Sequence, residues 1–376
     1  MRFIQNSLKI IGSTKLTVIS LIIVFILVVG GTFYQVDNGL LAAQKKFFGS
    51  WGLLLFNFIP FPGMKTVALL LTVNLIVTGL KSFSFTLRKS GLFLMHFGTI
   101  VLFIGTAIAS LYMKESVLTI FEGEKATFSR NFNIWELIAV KKISDMSSQN
   151  NFVSDTINFH ELKKDKKVTF AKTSLILTCD RLYQNCDGLY KTAGIVDSLQ
   201  PKPISGDQAG NFPGIIANIR NSNGPQSNGT KLVLYGGNSD PVGFEIGNDT
   251  LYFMLKPHEH QLPFQIGLNK FVKVNHPGTS DAKSYESHVT VLGDGLNRDA
   301  VISMNRPFRH KSLTLYQNGF MRQNNVNVTT LFVVDNSFRL VPYVSGIIII
   351  LGLLINFIGK FAGSVIRQKE SSINRL

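Results

Sequence analysis

The sequence predicts a membrane protein with four transmembrane α-helices and a large, mostly-β extracytoplasmic domain inserted between helices three and four. Three observations carry this. Of 376 residues, 45% are hydrophobic and only 16% charged, which argues against disorder as the main state. The apolar residues gather in four long runs at the two ends, and runs of that length suit the hydrocarbon core, about 30 Å at about 1.5 Å per residue. The middle is polar and rich in turn residues, so a single soluble globule does not fit.

The first run, Leu16 to Phe33, follows a basic start with Arg2, Lys9 and Lys15. A cleaved signal peptide has the same outline, but no small-x-small site follows closely, and the run is read as a span. The second, Met64 to Leu80, contains Asn74 and follows a Phe- and Pro-rich stretch, Trp51 to Pro62, that reads as interfacial or re-entrant. Gly91 to Tyr112 and Leu340 to Phe361 complete the set. The expected regions are thus a membrane region over 1–112 with three helices, an extracytoplasmic domain over 113–339, and a fourth helix with a basic tail over 340–376.

Basic residues near the span ends set orientation, because short positive loops stay cytoplasmic. The N-terminus, the loop with Lys81, Arg88 and Lys89, and the tail with Lys360, Arg367, Lys369 and Arg375 fall on one side. Lys45, Lys46 and Lys65 in the first external loop weaken the contrast without reversing it. Both termini are therefore expected on the cytoplasmic side, and the stretch from about Met113 to Arg339 outside.

That domain reads as β from short segments rich in Val, Ile, Thr, Phe and Tyr: Ser116 to Phe121, Lys167 to Thr178, Leu232 to Tyr235, Leu251 to Leu255, Ser287 to Leu292, Leu313 to Tyr316 and Val328 to Val334. A sandwich or barrel-like fold follows. The Gly-, Asn-, Ser- and Pro-dense stretch from Ser205 to Thr230 is expected to be a surface loop or insertion. Sequons at Asn228, Asn248 and Asn327 show only that those positions can be exposed, and carry no weight if the source is bacterial.

A formal charge of +15 suits anionic lipid or an acidic ligand, and membrane anchoring makes nucleic acid the weakest reading. Cys179 and Cys186 fit neither a redox pair nor a zinc site by spacing; a single structural disulfide and two free thiols both stay open. No Gly-x-Ser-x-Gly, His-Glu-x-x-His or P-loop occurs, so no catalytic residue is assigned.

His96 is the residue that demands explanation. It lies five residues into the third run, roughly 7 Å deep by helical rise. Intramembrane histidines usually face a bundle interior and bind a proton, a metal or haem iron; a neutral histidine bonded to a neighbouring helix is the plainer alternative. Gly98, Gly105 and Ala109 form a small-residue stripe that a helix or a flat macrocycle can approach. No other span holds a histidine, so a six-coordinate haem at His96 would need its second ligand from a partner. The other six, His160, His258, His260, His276, His288 and His310, fall in the external domain. His258-Glu-His260 could pair on one strand face, but no third ligand lies near.

Several stretches resemble the ResB/CcsB family of cytochrome c biogenesis proteins. Ser13-Thr-Lys-Leu16 opens a span ending Gly31-Thr32 with Gln35 beyond, similar to the family's first helix. His96-Phe-Gly98 matches its His-x-Gly element. Glu115-Ser-Val-Leu before Phe121-Glu-Gly-Glu124 looks like the entry to its external domain. Leu262-Pro-Phe264, Phe271, Pro277-Gly-Thr279, Tyr285-x-Ser287, Met304-Asn-x-Pro307 and Leu315-Tyr-Gln-x-Gly319 then follow in the family's order. One departure is Asp335-Asn-Ser-Phe where many relatives have Asp-Pro-Gly.

The resemblance implies a subunit of the system II cytochrome c synthetase, working with a ResC/CcsA-like membrane partner. Together they bind haem b non-covalently in transit, export it and support its attachment to apocytochrome c. It implies His96 as axial ligand of the haem iron, with the opposite ligand and the thioether-forming site on the partner. A thioredoxin-like thiol reductase is a further implied partner. The rival readings are a haem-free, membrane-anchored scaffold that recruits apocytochrome or a thiol-reducing partner, and a proton- or quinone-coupled transporter subunit. The second is poor, because one ionisable residue and no repeat symmetry are little for a coupled carrier.

Overall fold

The computed structural model describes residues 2–55, 58–82, 87–142, 152–192, 195–205, 210–221, 230–238, 240–246, 249–279 and 282–373. The sequons at Asn228 and Asn248 lie outside these. The chain divides into two compact units: Met1–Lys114, Arg309–Thr314 and Val334–Leu376 in one, Glu115–Phe308 and Leu315–Val333 in the other.

In the first unit, α1 (Arg2–Ile11) turns at Gly12 into α2 (Thr14–Asn38), where the Ser13 hydroxyl accepts the Leu16 N–H at 3.3 Å and caps the first turn. There follow α3 (Leu40–Ala43), a π-helical turn Gln44–Phe48, the hairpin β1 (Gly52–Leu55) and β2 (Ile59–Pro62), α4 (Met64–Ser82), α5 (Leu87–Tyr112) and, much later, α6 (Val341–Ile373). Three stretches, Thr14–Asn38, Ser90–Tyr112 and Val341–Phe361, are long and apolar enough to cross a membrane. The second predicted span forms a helix too, but its apolar part, Met64–Leu80, is shorter. The stretch read as interfacial is the β1–β2 hairpin, with Leu53 opposite Phe61.

Asn74 is 1% exposed on α4, and burying an amide unpaired would cost several kcal/mol. It is paired. Its Nδ2 donates to the carbonyls of Ile11 at 2.5 Å and Ser13 at 3.2 Å, and its Oδ1 accepts the Thr17 hydroxyl at 2.8 Å. The polar residue noted within the second run is what fastens the α1–α2 corner to α4.

The second unit is almost entirely strand. Its elements are β3 (Lys114–Phe121), β4 (Lys125–Lys142), β5 (Phe152–Asn158), β6 (Lys167–Phe170), β7 (Leu175–Tyr183), β8 (Cys186–Thr192), β9 (Ile195–Pro201), β10 (Gly214–Asn221), β11 (Thr230–Tyr235), β12 (Val242–Ile246), β13 (Asp249–Asn275), β14 (Ala282–Gly293) and β15 (Leu296–Ser303). β16 (Phe308–His310), β17 (Leu313–Gln323) and β18 (Val326–Asp335) follow. The large sheet runs β15-β14-β13-β4-β3-β18-β17-β16, with β5 added to β4 and β12 to β13; a four-stranded sheet runs β11-β10-β7-β6, and β8 pairs with β9.

The large sheet curls on itself. Ser287 of β14 donates to Gln317 of β17 at 2.7 Å and lies 2.8 Å from the Thr329 hydroxyl of β18, although three strands separate β14 from β18 in the sheet. The four-stranded sheet packs on the outer halves of β4 and β13 through Leu137, Phe253, Leu177, Ile215 and Leu232. Burying each such side chain contributes about 1.5–3 kcal/mol.

Two expectations are corrected here. Lys167 to Thr178 is a hairpin rather than one strand, because Ser174 takes a left-handed φ of 56° and turns the chain between β6 and β7. The presumed loop from Ser205 to Thr230 contains β10, whose Ile215, Ala217 and Ile219 are buried on one face. Their alternation is a strand signal that the surrounding Gly, Asn and Pro obscured.

Candidate functional site

Helix α5 is positioned by glycine. Gly91, Gly98 and Gly105, seven residues apart, all face α6. A Cβ on Gly91 would lie 2.6 Å from the Gly352 carbonyl oxygen, one on Gly98 would lie 2.7 Å from Ile349 Cγ1, and one on Gly105 would run into Val341. Gly352 answers from α6, where a Cβ would sit 2.7 Å from the Met95 nitrogen. The two backbones therefore touch, as small-residue stripes allow in membranes. Of the two occupants the stripe allows, α6 is the one found there.

At 3.6 residues per turn, His96 lies about 140° around the helix from Gly91. It turns away from α6 and towards α4, where a Cβ on Gly79 would stand 3.8 Å from its own Cβ. The absent side chain leaves the imidazole room. Its Nδ1 is 2.9 Å from the Leu92 carbonyl oxygen one turn back. A carbonyl cannot donate, so Nδ1 carries a proton and donates it, which leaves Nε2 as the ring nitrogen open to a ligand. Among the described residues no group bonds Nε2. Orienting a ring by an Nδ1–H bond to a backbone carbonyl is the arrangement that metal-ligating histidines use.

The surface beside it is apolar and outward. Phe93 and Phe97, one turn apart, lie with ring centroids at 6.2 Å and planes 14° apart, and both are exposed, as are Ile104 and Ile108 further along the helix. His96 and this aromatic pair thus lie within one turn of the same helix. Arg88 and Lys89 lie in the first turn of α5, but their side chains fall outside the described residues.

Sequence reasoning found His96 and the Gly98–Gly105 stripe but missed Gly91, Gly79 and Leu92. Gly91 continues the seven-residue spacing and was legible. Gly79 is a lone glycine in an apolar helix, and Leu92 acts through its backbone, which no side chain announces.

The external histidines converge on nothing. His258 Nδ1 is 2.8 Å from a Glu136 carboxylate oxygen, His288 Nε2 3.0 Å from Glu286 and His160 Nε2 3.3 Å from the Asn133 carbonyl. Among the described residues no cluster of three His, Cys, Asp or Glu could hold a metal. Cys179 and Cys186 are both free and buried, in separate cores. Burial, helped by neighbouring Asp180 and Asp187, pushes each thiol up to about 11. Both are protonated and unreactive at neutral pH.

The departure at Asp335 also has a structural equivalent. The Asn336 side chain accepts the Phe338 N–H at 2.8 Å and its backbone N–H donates to Ser312 at 2.9 Å, an Asx turn that leads into α6 without proline or glycine.

A search of curated proteins returns no match. A family model described as ResB-like matches residues 85–342, more than half of the chain, from the start of α5 through the whole β unit to the start of α6. The helix that carries His96 and the curled sheet thus fall within one familial segment, and the chain belongs to the ResB-like family, which places it in cytochrome c biogenesis.

Proposed function

We propose that this protein handles haem on its way across the membrane to apocytochrome c, and that His96 holds the iron through Nε2. The observation that carries the proposal is the His96–Leu92 hydrogen bond, which orients the one histidine of the apolar helices through Nδ1 and leaves Nε2 without a partner among the described residues. Haem is the cargo, and its vinyl groups supply the bonds to apocytochrome thiols. This chain's residues bind and orient. Leu92 holds the ring, Gly79 leaves it room and Phe93 with Phe97 offers an apolar face. The second axial ligand and the attachment site belong to a ResC/CcsA-like partner, in keeping with a family that works in a complex and with the single histidine in the helices.

In this reading α4 crosses the membrane as a fourth span, tilting little because it is short. Both termini are cytoplasmic and the β unit faces the periplasm. Its curled sheet serves the partner and the apocytochrome as a docking module, with a thiol reductase as a further visitor. The test is haem content. The complex co-purified with its partner should carry a Soret band that falls sharply in His96→Ala at unchanged protein stoichiometry. Unchanged haem would refute the ligand role, and no band in any sample would transfer the reading to a haem-free scaffold.

A further inference from the structure

We infer that the β1–β2 hairpin and the turn before it form a site for an anionic phospholipid headgroup at the membrane surface, with Lys46 as its cation. The hairpin joins α2 to α4 and is tied to the mouth of α4. The Trp51 carbonyl accepts the Gly63 N–H at 2.9 Å and the Thr66 hydroxyl at 2.5 Å, and the Ser50 carbonyl accepts the Lys65 N–H at 3.3 Å. Its height is therefore fixed at the end of an apolar helix, where hydrocarbon gives way to headgroups. The two strands pair from Gly52 opposite Pro62 to Leu55 opposite Ile59, and Trp51 (62% exposed), Phe58 (72% exposed) and Leu54 project outward. Tryptophan is a side chain that settles at this depth.

A depression of about 560 Å³ opens here, lined by Lys46, Ser50, Leu53, Leu54, Pro60 and Phe61. Lys46 is half-buried, its Nζ 4.2 Å above the Tyr34 ring and 5.8 Å from the Phe47 ring centroid. Among the described residues it has no carboxylate partner, so a positive charge is held at an apolar rim without a counter-ion. A phosphodiester supplies that charge while its acyl chains continue along the apolar flanks of α2 and α4. A protein partner would be expected to bring a carboxylate and to cover Trp51; the continuity of this surface with the two helices favours lipid.

The experiment uses the full-length protein in vesicles of phosphatidylcholine with or without phosphatidylglycerol. Fluorescence is quenched by lipids brominated near the headgroup end or deep in the acyl chain. The chain's two tryptophans are Trp51 and Trp135, and Trp135 is buried, so the difference between wild type and Trp51→Phe isolates Trp51. Shallow bromine should quench it more than deep bromine. Phosphatidylglycerol retained per protein should fall about fivefold in Lys46→Gln, the roughly 1 kcal/mol of one basic residue at a charged surface, and persist in Lys46→Arg. An unquenched Trp51, or equal retention in Lys46→Gln, would overturn the site. Equal loss in Lys46→Arg and Lys46→Gln would reduce Lys46 to packing over Tyr34 and overturn it as well.

Discussion

Gly79 of α4 stands directly beside His96 of α5, with a Cβ at Gly79 reaching 3.8 Å from the histidine Cβ. That is ordinary van der Waals contact, so Gly79→Ala should leave haem content unchanged. Gly79→Leu would occupy the space the imidazole uses and should lower haem per complex, read from the Soret absorbance, with the protein still inserted.

The α5–α6 seam ranks its glycines by what a methyl would meet. At Gly91 it meets the backbone of α6, at Gly98 chiefly the Ile349 side chain, and at Gly346 nothing within 4 Å. Thermal unfolding in detergent should therefore show Gly91→Ala losing about 1–3 kcal/mol, Gly98→Ala losing less, and Gly346→Ala unchanged or slightly more stable. Equal effects at all three would contradict the close approach.

Asn74→Leu keeps the number of side-chain atoms but removes the donor to the Ile11 carbonyl and leaves Ser13 and Thr17 only their bonds to each other. A loss of about 1–3 kcal/mol is expected, with faster proteolysis at the α1–α2 corner. Asn74→Asp should also fail, since a carboxylate cannot donate to either carbonyl.

The buried thiols give a pH signature. Each has a folded pKa raised from 9.0 to about 11 by burial and a neighbouring aspartate. Below pH 9 both states hold the proton and the contribution is intact; between pH 9 and 11 the unfolded chain releases protons first, so stability falls as pH rises. Cys179→Ala/Cys186→Ala should flatten this alkaline slope in denaturant titrations. In the native protein at pH 8 neither thiol should react with maleimide until the β unit unfolds.

A fourth crossing by α4 puts the two ends of the chain on one side. Cysteines placed at Leu8 and Lys360, in a background without the native thiols, should be labelled from the same side of closed vesicles. Labelling from opposite sides would leave α4 on the surface.

Much of this is legible in the amino-acid sequence. The runs that became α2, α5 and α6 are long and unbroken by charge, and hydropathy suffices for such helices. α4 was harder because its polar residue is justified only by Ile11, Ser13 and Thr17, about sixty positions away. Within the β unit, β13 hid as separate pieces: its 27 residues include Pro257 and Pro263, and the pairing with β4 shifts register at Pro257/His258 and Gln261/Ile266. Bulges let a long strand carry prolines that ordinarily signal an end. At the site, His96 announced itself by its cost in hydrocarbon. The Leu92 carbonyl that orients it is a backbone atom every residue possesses, and only folding shows which one is used.

The most direct test is cavity rescue at His96 in the complex purified with its partner. His96→Gly should lose the Soret band, and added imidazole, entering the space above Gly79, should restore it with a low-spin spectrum. A His96→Gly complex with full haem content and no response to imidazole would contradict the account at its centre.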